Sequence, residues 1–228
     1  MGERSRRSCS SPRSNSVRRH RRTSPDIAGE AFAKDLAEVR DLGGKDSAKR
    51  TAAETETAKF WSDFSYTTSP PGHWNDIARQ LAARLSLTES ARLFALFNLA
   101  MADAGIATWE GKYHYNFWRP VTALNRDPAA KWEPLLATPP HPEYVSGHSA
   151  FSGAAAAVLE SFFGTDALSF TAASDTVPNV SRRYRSLKAC AAEISRSRVL
   201  GGIHFPSACR EGLTLGRKVG EWCQREFK

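Results

Sequence analysis

The chain has 228 residues, 41% of them hydrophobic and 25% charged, a globular composition with room for a sizeable core in one domain. Its formal charge of +8 suggests a polyanion partner only until it is located, because eight arginines between Arg4 and Arg22 face Glu3 alone. Cys9, Cys190, Cys209 and Cys223 show no CxxC spacing, which argues against a zinc site or a disulfide framework and leaves reduced thiols as the default.

Residues 1–24 hold seven serines and, beyond Met1, only Val17 as an aliphatic side chain, so this Arg/Ser-rich tail cannot bury enough surface to fold and is read as disordered. It lacks the apolar segment of a secretory signal, and three readings remain: a non-native start, which is preferred, an arm that binds polyanions such as nucleic acid weakly, and part of an organelle transit sequence. Residues 25–228 are read as one helical domain. In it, Ile27, Phe32, Leu36 and Val39 share a face that stops at Gly43-Gly44, and Thr51 with Glu54 forms a capping box opening a second helix towards Phe60 and Trp61. Ser69-Pro70-Pro71-Gly72 reads as a break before a third helix from about Trp74 to Leu85. Thr88 is expected to cap a long fourth helix reaching about Trp118. On that helix Lys112 and Arg119, almost two turns apart, project from one side with Asn116 between them. No uninterrupted run of about 18 apolar residues occurs, since Asn98 and Asp103 break the stretch from Leu93 to Ile106, and the expectation is a soluble protein without a transmembrane segment.

Prolines 139, 140 and 142 forbid helix before Ser146, while the alanine-rich run after His148 favours it as far as Gly164. Ser146-Gly147-His148 therefore sits at a helix start, where free N–H groups, a hydroxyl and an imidazole could receive an oxyanion; alone, the tripeptide reads first as an ordinary N-cap followed by a surface histidine. The span 164–180 receives no role. Ser181 is expected to cap a helix whose Tyr184, Leu187, Ala191, Ile194 and Arg198 share one stripe, placing a cation on an inward face. A last helix from about Ser207 carries Gly212, Gly216 and Gly220 every fourth residue, a spacing that points to close helix packing. With no convincing strand, the fold class is all-α, a helical bundle.

Three separated segments thus supply Lys112 and Arg119; Ser146, Gly147 and His148; and Arg198 and His204. Three cations, a hydroxyl, a helix N-terminus and two imidazoles suit a tetrahedral oxyanion, which must be neutralised to be buried. Glu143 is the one carboxylate in these segments, and no role is assigned to it. Lys112-x6-Arg119-Pro120, Ser146-Gly147-His148 and Ser197-Arg198-x3-Gly202-x-His204 resemble, in order and spacing, a signature shared by two groups of enzymes. These are the vanadium-dependent haloperoxidases and the acid phosphatases of the phosphatidic acid phosphatase type 2 superfamily. The context of Trp109–Pro120 and Thr138–Leu159 is most similar to the bacterial haloperoxidases, and the resemblance covers roughly residues 26–222.

That resemblance implies a helical bundle and vanadate as cofactor, with hydrogen peroxide and halide as reaction partners. It also implies roles: Lys112, Arg119, Ser146, Gly147 and Arg198 hold the oxyanion, His204 is the apical ligand to vanadium, and His148 is the acid–base. His141 occupies the place where these enzymes tend to have phenylalanine when they oxidise chloride and histidine when they oxidise bromide, so bromide is favoured; an imidazole there is expected to titrate near neutral pH. Two positions depart from the signature, Val145 for a usual proline and Ala208 for a usual aspartate that orients the second histidine. The missing aspartate counts against a histidine-nucleophile phosphatase, and leaves Glu211 or a backbone carbonyl as the expected partner of His204. Haloperoxidase chemistry ranks first, a phosphatase acting on an unassigned phosphate ester second, and an inactive oxyanion-binding remnant third. The chain is short for this family, so helices before the present segment are expected to be missing, with a homo-oligomeric partner as one way to cover the apolar face that leaves.

Overall fold

The computed structural model describes residues 27, 29–64 and 66–227, so the tail at 1–24 lies outside the described residues. Helix α1 (Glu30–Gly43) buries Phe32 and Val39, and α2 (Ala52–Phe60) opens on the expected reciprocal capping box of Thr51 and Glu54. Helix α3 (Ser69–Leu81) starts four to five residues before the expected boundary, because Pro70 and Pro71 occupy its first turn, where a missing N–H removes no helical bond. A 3₁₀ turn (Ala82–Arg84) leads to α4 (Leu87–Tyr115), whose cap is Ser86 paired with Glu89 rather than Thr88. The short α5 (Pro120–Leu124) follows.

Helix α6 (Gly147–Phe163) is the axis of the molecule. Its cap is Ser146, it ends at Gly164 with φ 72°, and its alanines let neighbours approach from several sides. It packs against α4, α7 (Leu187–Leu200) and α8 (Pro206–Glu226), and α3 is pinned to it by a 2.9 Å bond from Trp74 Nε1 to Ser152 Oγ. Gly212, Gly216 and Gly220 of α8 face α6 as their spacing predicts. A methyl at Gly212 would lie 2.6 Å from the Ser146 carbonyl, and one at Gly216 would collide with the Ala150 carbonyl. A smaller cluster of Phe32, Val39, Ala123, Val199, Phe205 and Cys209 joins α1 and α5 to the ends of α7 and α8.

The fold is a helical bundle with one departure from an all-helical reading. Residues Phe170–Ala173 (β1) and Ser181–Tyr184 (β2) form an antiparallel hairpin, Phe170 opposite Tyr184, so Ser181 opens a strand and α7 is capped by Ser186 instead. Four-residue strands are too short for alternation to show in sequence, and only the stacking of Phe170 on Tyr184 identifies the inward side. By length and composition the stretch Leu87–Leu124 could cross a membrane; in this fold α4 instead packs along α6 and α8, leaving Leu99, Ile106 and Tyr113 exposed.

Candidate functional site

The C-terminal end of α4, the 141–146 loop, the start of α6 and the end of α7 converge, and the seven residues assigned to the oxyanion and its chemistry meet there. The means differ from expectation in one respect. Helix α4 stops at Tyr115, with Asn116 in the left-handed conformation at φ 44°, so Lys112 lies on the last turn while Arg119 lies on an extended segment and caps α5. Asn116 is exposed and is not part of the cluster. Lys112, Arg119, Arg198, Ser146 and His204 are all buried, and so is Glu143.

The three cations are used differently. Lys112 Nζ donates to the carbonyls of Pro142, Glu143 and Val145 at 3.0, 3.0 and 2.6 Å, which takes all three of its protons and shapes the loop entering α6. Arg119 donates from Nε to the His141 carbonyl at 3.0 Å and from a terminal nitrogen to the Ile203 carbonyl at 2.6 Å; it also reaches His204 Nε2 at 3.1 Å and His141 Nδ1 at 3.0 Å. Arg198 donates to the carbonyls of Trp61 at 2.7 Å and Ser62 at 3.4 Å, while its Nε is sealed from solvent with no partner among the described residues. Burial lowers the affinity of each cation for its proton. Lys112 is shifted well below the ordinary lysine range, and both Arg119 and Arg198 are brought down to about 10.

His204 has its tautomer fixed from both sides. A guanidinium can only donate, so Nε2 facing Arg119 must carry the lone pair, and Nδ1–H then donates to Glu143 Oε1 at 2.8 Å. The same carboxylate oxygen accepts the Phe205 N–H at 2.9 Å. This carboxylate comes from 61 residues upstream, so neither Glu211 nor a backbone carbonyl is the partner of His204. Sequence spacing gave no signal for it beyond a carboxylate lying among the segments. Ala208 retains a part through its backbone, accepting the Ser146 N–H at 3.1 Å. Burial pushes Glu143 above the usual carboxylate range, and burial followed by Arg119 holds His204 well below the usual imidazole range, which keeps the ring neutral.

His148 bonds the Ser62 backbone, and its Nε2 is buried with no partner among the described residues; burial and then Arg198 press its pKa far down. His141 is half-buried, with its ring 5.2 Å from that of Trp109 and its Nδ1 accepting from Arg119. It is therefore joined to the cluster. It does not titrate near neutrality as expected, because burial and then Lys112 bring it down to about 4. Gly147 leaves room for Trp109, whose ring carbon would lie 3.3 Å from an added methyl. The α6 hydrogen bonds begin with Ser149 and Ala150 donating to Ser146, so the N–H groups of Gly147 and His148 are first-turn donors without a helical partner.

Comparison with known proteins finds the same architecture. A family model described as the VCPO second helical-bundle domain matches residues 92–228. The vanadium chloroperoxidase of Curvularia inaequalis is 29% identical over 145 residues, covering 51% of this chain and 24% of its own length. Among solved structures, one described as the first bacterial vanadium-dependent iodoperoxidase superposes with a TM-score of 0.75 at 34% identity, over 90% of this chain and 51% of its own. The holo form of a bacterial vanadium-dependent chloroperoxidase superposes at 0.71 with 18% identity, over 93% of this chain and 52% of its own, a likeness of fold. The chain thus spans about half the length of these solved structures and a quarter of that of the curated relative.

Proposed function

Because this chain belongs to the vanadium haloperoxidase family, we propose that its buried cation cluster holds vanadate and supports oxidation of halide by hydrogen peroxide. The observation that carries the reading is His204. Glu143 fixes its Nδ1–H, so Nε2 carries the lone pair among three buried cations; that lone pair accepts from Arg119 in this structure and would be the ligand to a bound metal oxyanion once Arg119 donates to the anion instead. The donor set fits a tetrahedral oxyanion of this kind. Arg198 Nε and His148 Nε2 are buried without partners among the described residues, and the first-turn N–H groups of α6 have no helical acceptor; of the carboxylates near the cations, Glu143 commits Oε1 to His204 and Phe205, and Asp63, which acts on Arg198, is paired with His73.

When bound there, vanadate would supply a Lewis acid that activates peroxide towards halide without changing its own oxidation state. The protein's part is to hold and polarise. Arg198 and Arg119 would neutralise the anion's charge, Ser146 and the Gly147 N–H would add donors, and Lys112 would contribute its charge while its protons stay on the loop. His148, kept neutral with an unpartnered Nε2, would accept a proton there from peroxide and later return it. His141, tied to Arg119 and tilted against Trp109, would present a neutral polar group beside the cluster rather than a hydrocarbon wall, which favours bromide or iodide over chloride. The relative described as an iodoperoxidase, at 34% identity, supports the same order.

A second reading rests on Glu143. A histidine–carboxylate pair also suits a histidine nucleophile, so the argument from Ala208 against a phosphatase loses its force. Equilibrium dialysis with orthovanadate and inorganic phosphate, followed by peroxide-dependent oxidation of iodide, bromide and chloride and hydrolysis of an aryl phosphate on the same preparation, separates the two. The haloperoxidase reading expects 1:1 vanadate binding with iodide and bromide turnover; phosphate ester hydrolysis without halide turnover selects the phosphatase.

A further inference from the structure

Behind Ser146 lies a file of buried hydroxyls that the resemblance does not account for. Ser146 and Ser149 are fully buried and Ser195 nearly so. Ser149 Oγ donates to Ser146 Oγ at 3.0 Å, Ser149 Oγ and Ser195 Oγ are 2.9 Å apart, and Ser195 Oγ lies 3.4 Å from the Cys209 carbonyl. The thiol of Cys209 also touches both hydroxyls, and burial raises it to about 12, so it stays protonated. Gly212 makes the file possible, because a methyl there would lie 2.8 Å from Ser149 Cβ.

Each hydroxyl has one proton and two lone pairs. Ser149 gives its proton to Ser146, so in the bond between Ser149 and Ser195 the donor is Ser195, whose single proton is shared unequally between Ser149 at 2.9 Å and the longer 3.4 Å bond to the Cys209 carbonyl. Ser146 Oγ then accepts twice, from the Ser149 hydroxyl and from the Ser149 N–H at 3.4 Å. Both of its lone pairs are occupied, and its own proton has no acceptor among the described residues. A fully buried hydroxyl in that state is a donor aimed at whatever fills the cluster, and the chain of bonds behind it strengthens that polarity.

We infer that Ser149, supported by Ser195, is a positioning residue that locks Ser146 as a hydrogen-bond donor and so makes the pocket select an unprotonated oxyanion oxygen. The inference rests on the oxyanion reading of the site and adds to it a specificity device one layer away. Without Ser149, Ser146 regains a free lone pair and can equally accept from a protonated oxygen, so discrimination falls as well as affinity.

The test is a double-mutant cycle on the full chain, with orthovanadate and inorganic phosphate as probes, by titration calorimetry at several pH values. Ser149→Ala is expected to weaken binding about fivefold and Ser195→Ala about twofold, while in a Ser146→Ala background either change alters affinity by less than about 1.5-fold. Ser149→Ala should also flatten the preference for the more deprotonated anion as pH rises, which a loss of packing would not do. Losses of equal size in both backgrounds, or an unchanged affinity in Ser149→Ala, overturn the inference. If Ser149→Ala does not fold, the Ser195→Ala cycle decides by the same criterion. Wild-type protein that binds neither anion overturns the site reading and this inference together, whereas binding without coupling overturns this inference alone.

Discussion

Lys112, on one wall of the pocket, gives every proton to the carbonyls of Pro142, Glu143 and Val145, whereas Arg198, on the other, keeps a buried Nε unpaired, as does His148 with its Nε2. Both walls bury a cation, and burial weakens the hold of both on their protons. One cation spends every proton on the loop, and the other, though bonded to two carbonyls, keeps one buried donor unspent among the described residues. A buried polar atom with no partner is destabilising by about 1–3 kcal/mol, a cost that the proposed oxyanion would relieve at Arg198 Nε and His148 Nε2. The difference predicts that stability and anion affinity separate by residue.

The largest effect is expected at the closed wall. Lys112→Met strands three carbonyls and leaves Glu143 without its nearest countercharge, and denaturant unfolding should show a loss of about 3 kcal/mol or more. Arg198→Ala sharpens the contrast from the other side, with vanadate affinity falling about 100-fold and a smaller loss of stability than in Lys112→Met. If the two variants lose stability and affinity in the same proportion, the walls are not distinct.

Glu143 connects the walls, accepting the His204 Nδ1–H with its side chain and the Lys112 ammonium with its backbone. Glu143→Gln keeps an acceptor for His204 and Phe205 but not the charge, so the fold should survive while vanadate affinity drops about tenfold, read by dialysis. The smallest effect is on pH. His141, His148 and His204 all have folded-state pKa values below the unfolded value of about 6.5, so the unfolded chain binds more protons below that point. The contribution of these three should therefore be full above about pH 6.5 and fall as pH drops towards the folded value of about 4 for His141, while Glu143, raised to about 7, and His73, also raised, act in the opposite sense. Vanadate-free thermal melts of wild type and His141→Phe would record the difference as a shallower acid limb in the variant.

Much of the fold could be read in the chain because local rules and tertiary packing agree there. Thr51 and Glu54, Ser146 and Gly164, and the glycines of α8 do what their positions require. Elsewhere a second rule prevailed. Pro70 and Pro71 signal a break in isolation and a helix start in fact, and Arg119 left its helix because Asn116 takes the left-handed turn that ends α4. The site's cations and histidines were legible as three spaced motifs. The partner of His204 was not, since the Glu143–His204 pair forms only when a loop and a helix junction 61 residues apart are folded together. The hairpin leaves no alternation in the sequence because its arginine-rich second strand, Ser181–Tyr184, has one buried side chain.

The central claim is that His204, held by Glu143 and facing the unpaired wall, is the ligand of an oxyanion cofactor. Titration calorimetry of orthovanadate into wild type and His204→Ala, with unfolding melts of both, tests it most directly. The predicted result is one site per chain in wild type and no saturable binding in a His204→Ala protein that still unfolds cooperatively; equal vanadate affinity in the two would contradict it.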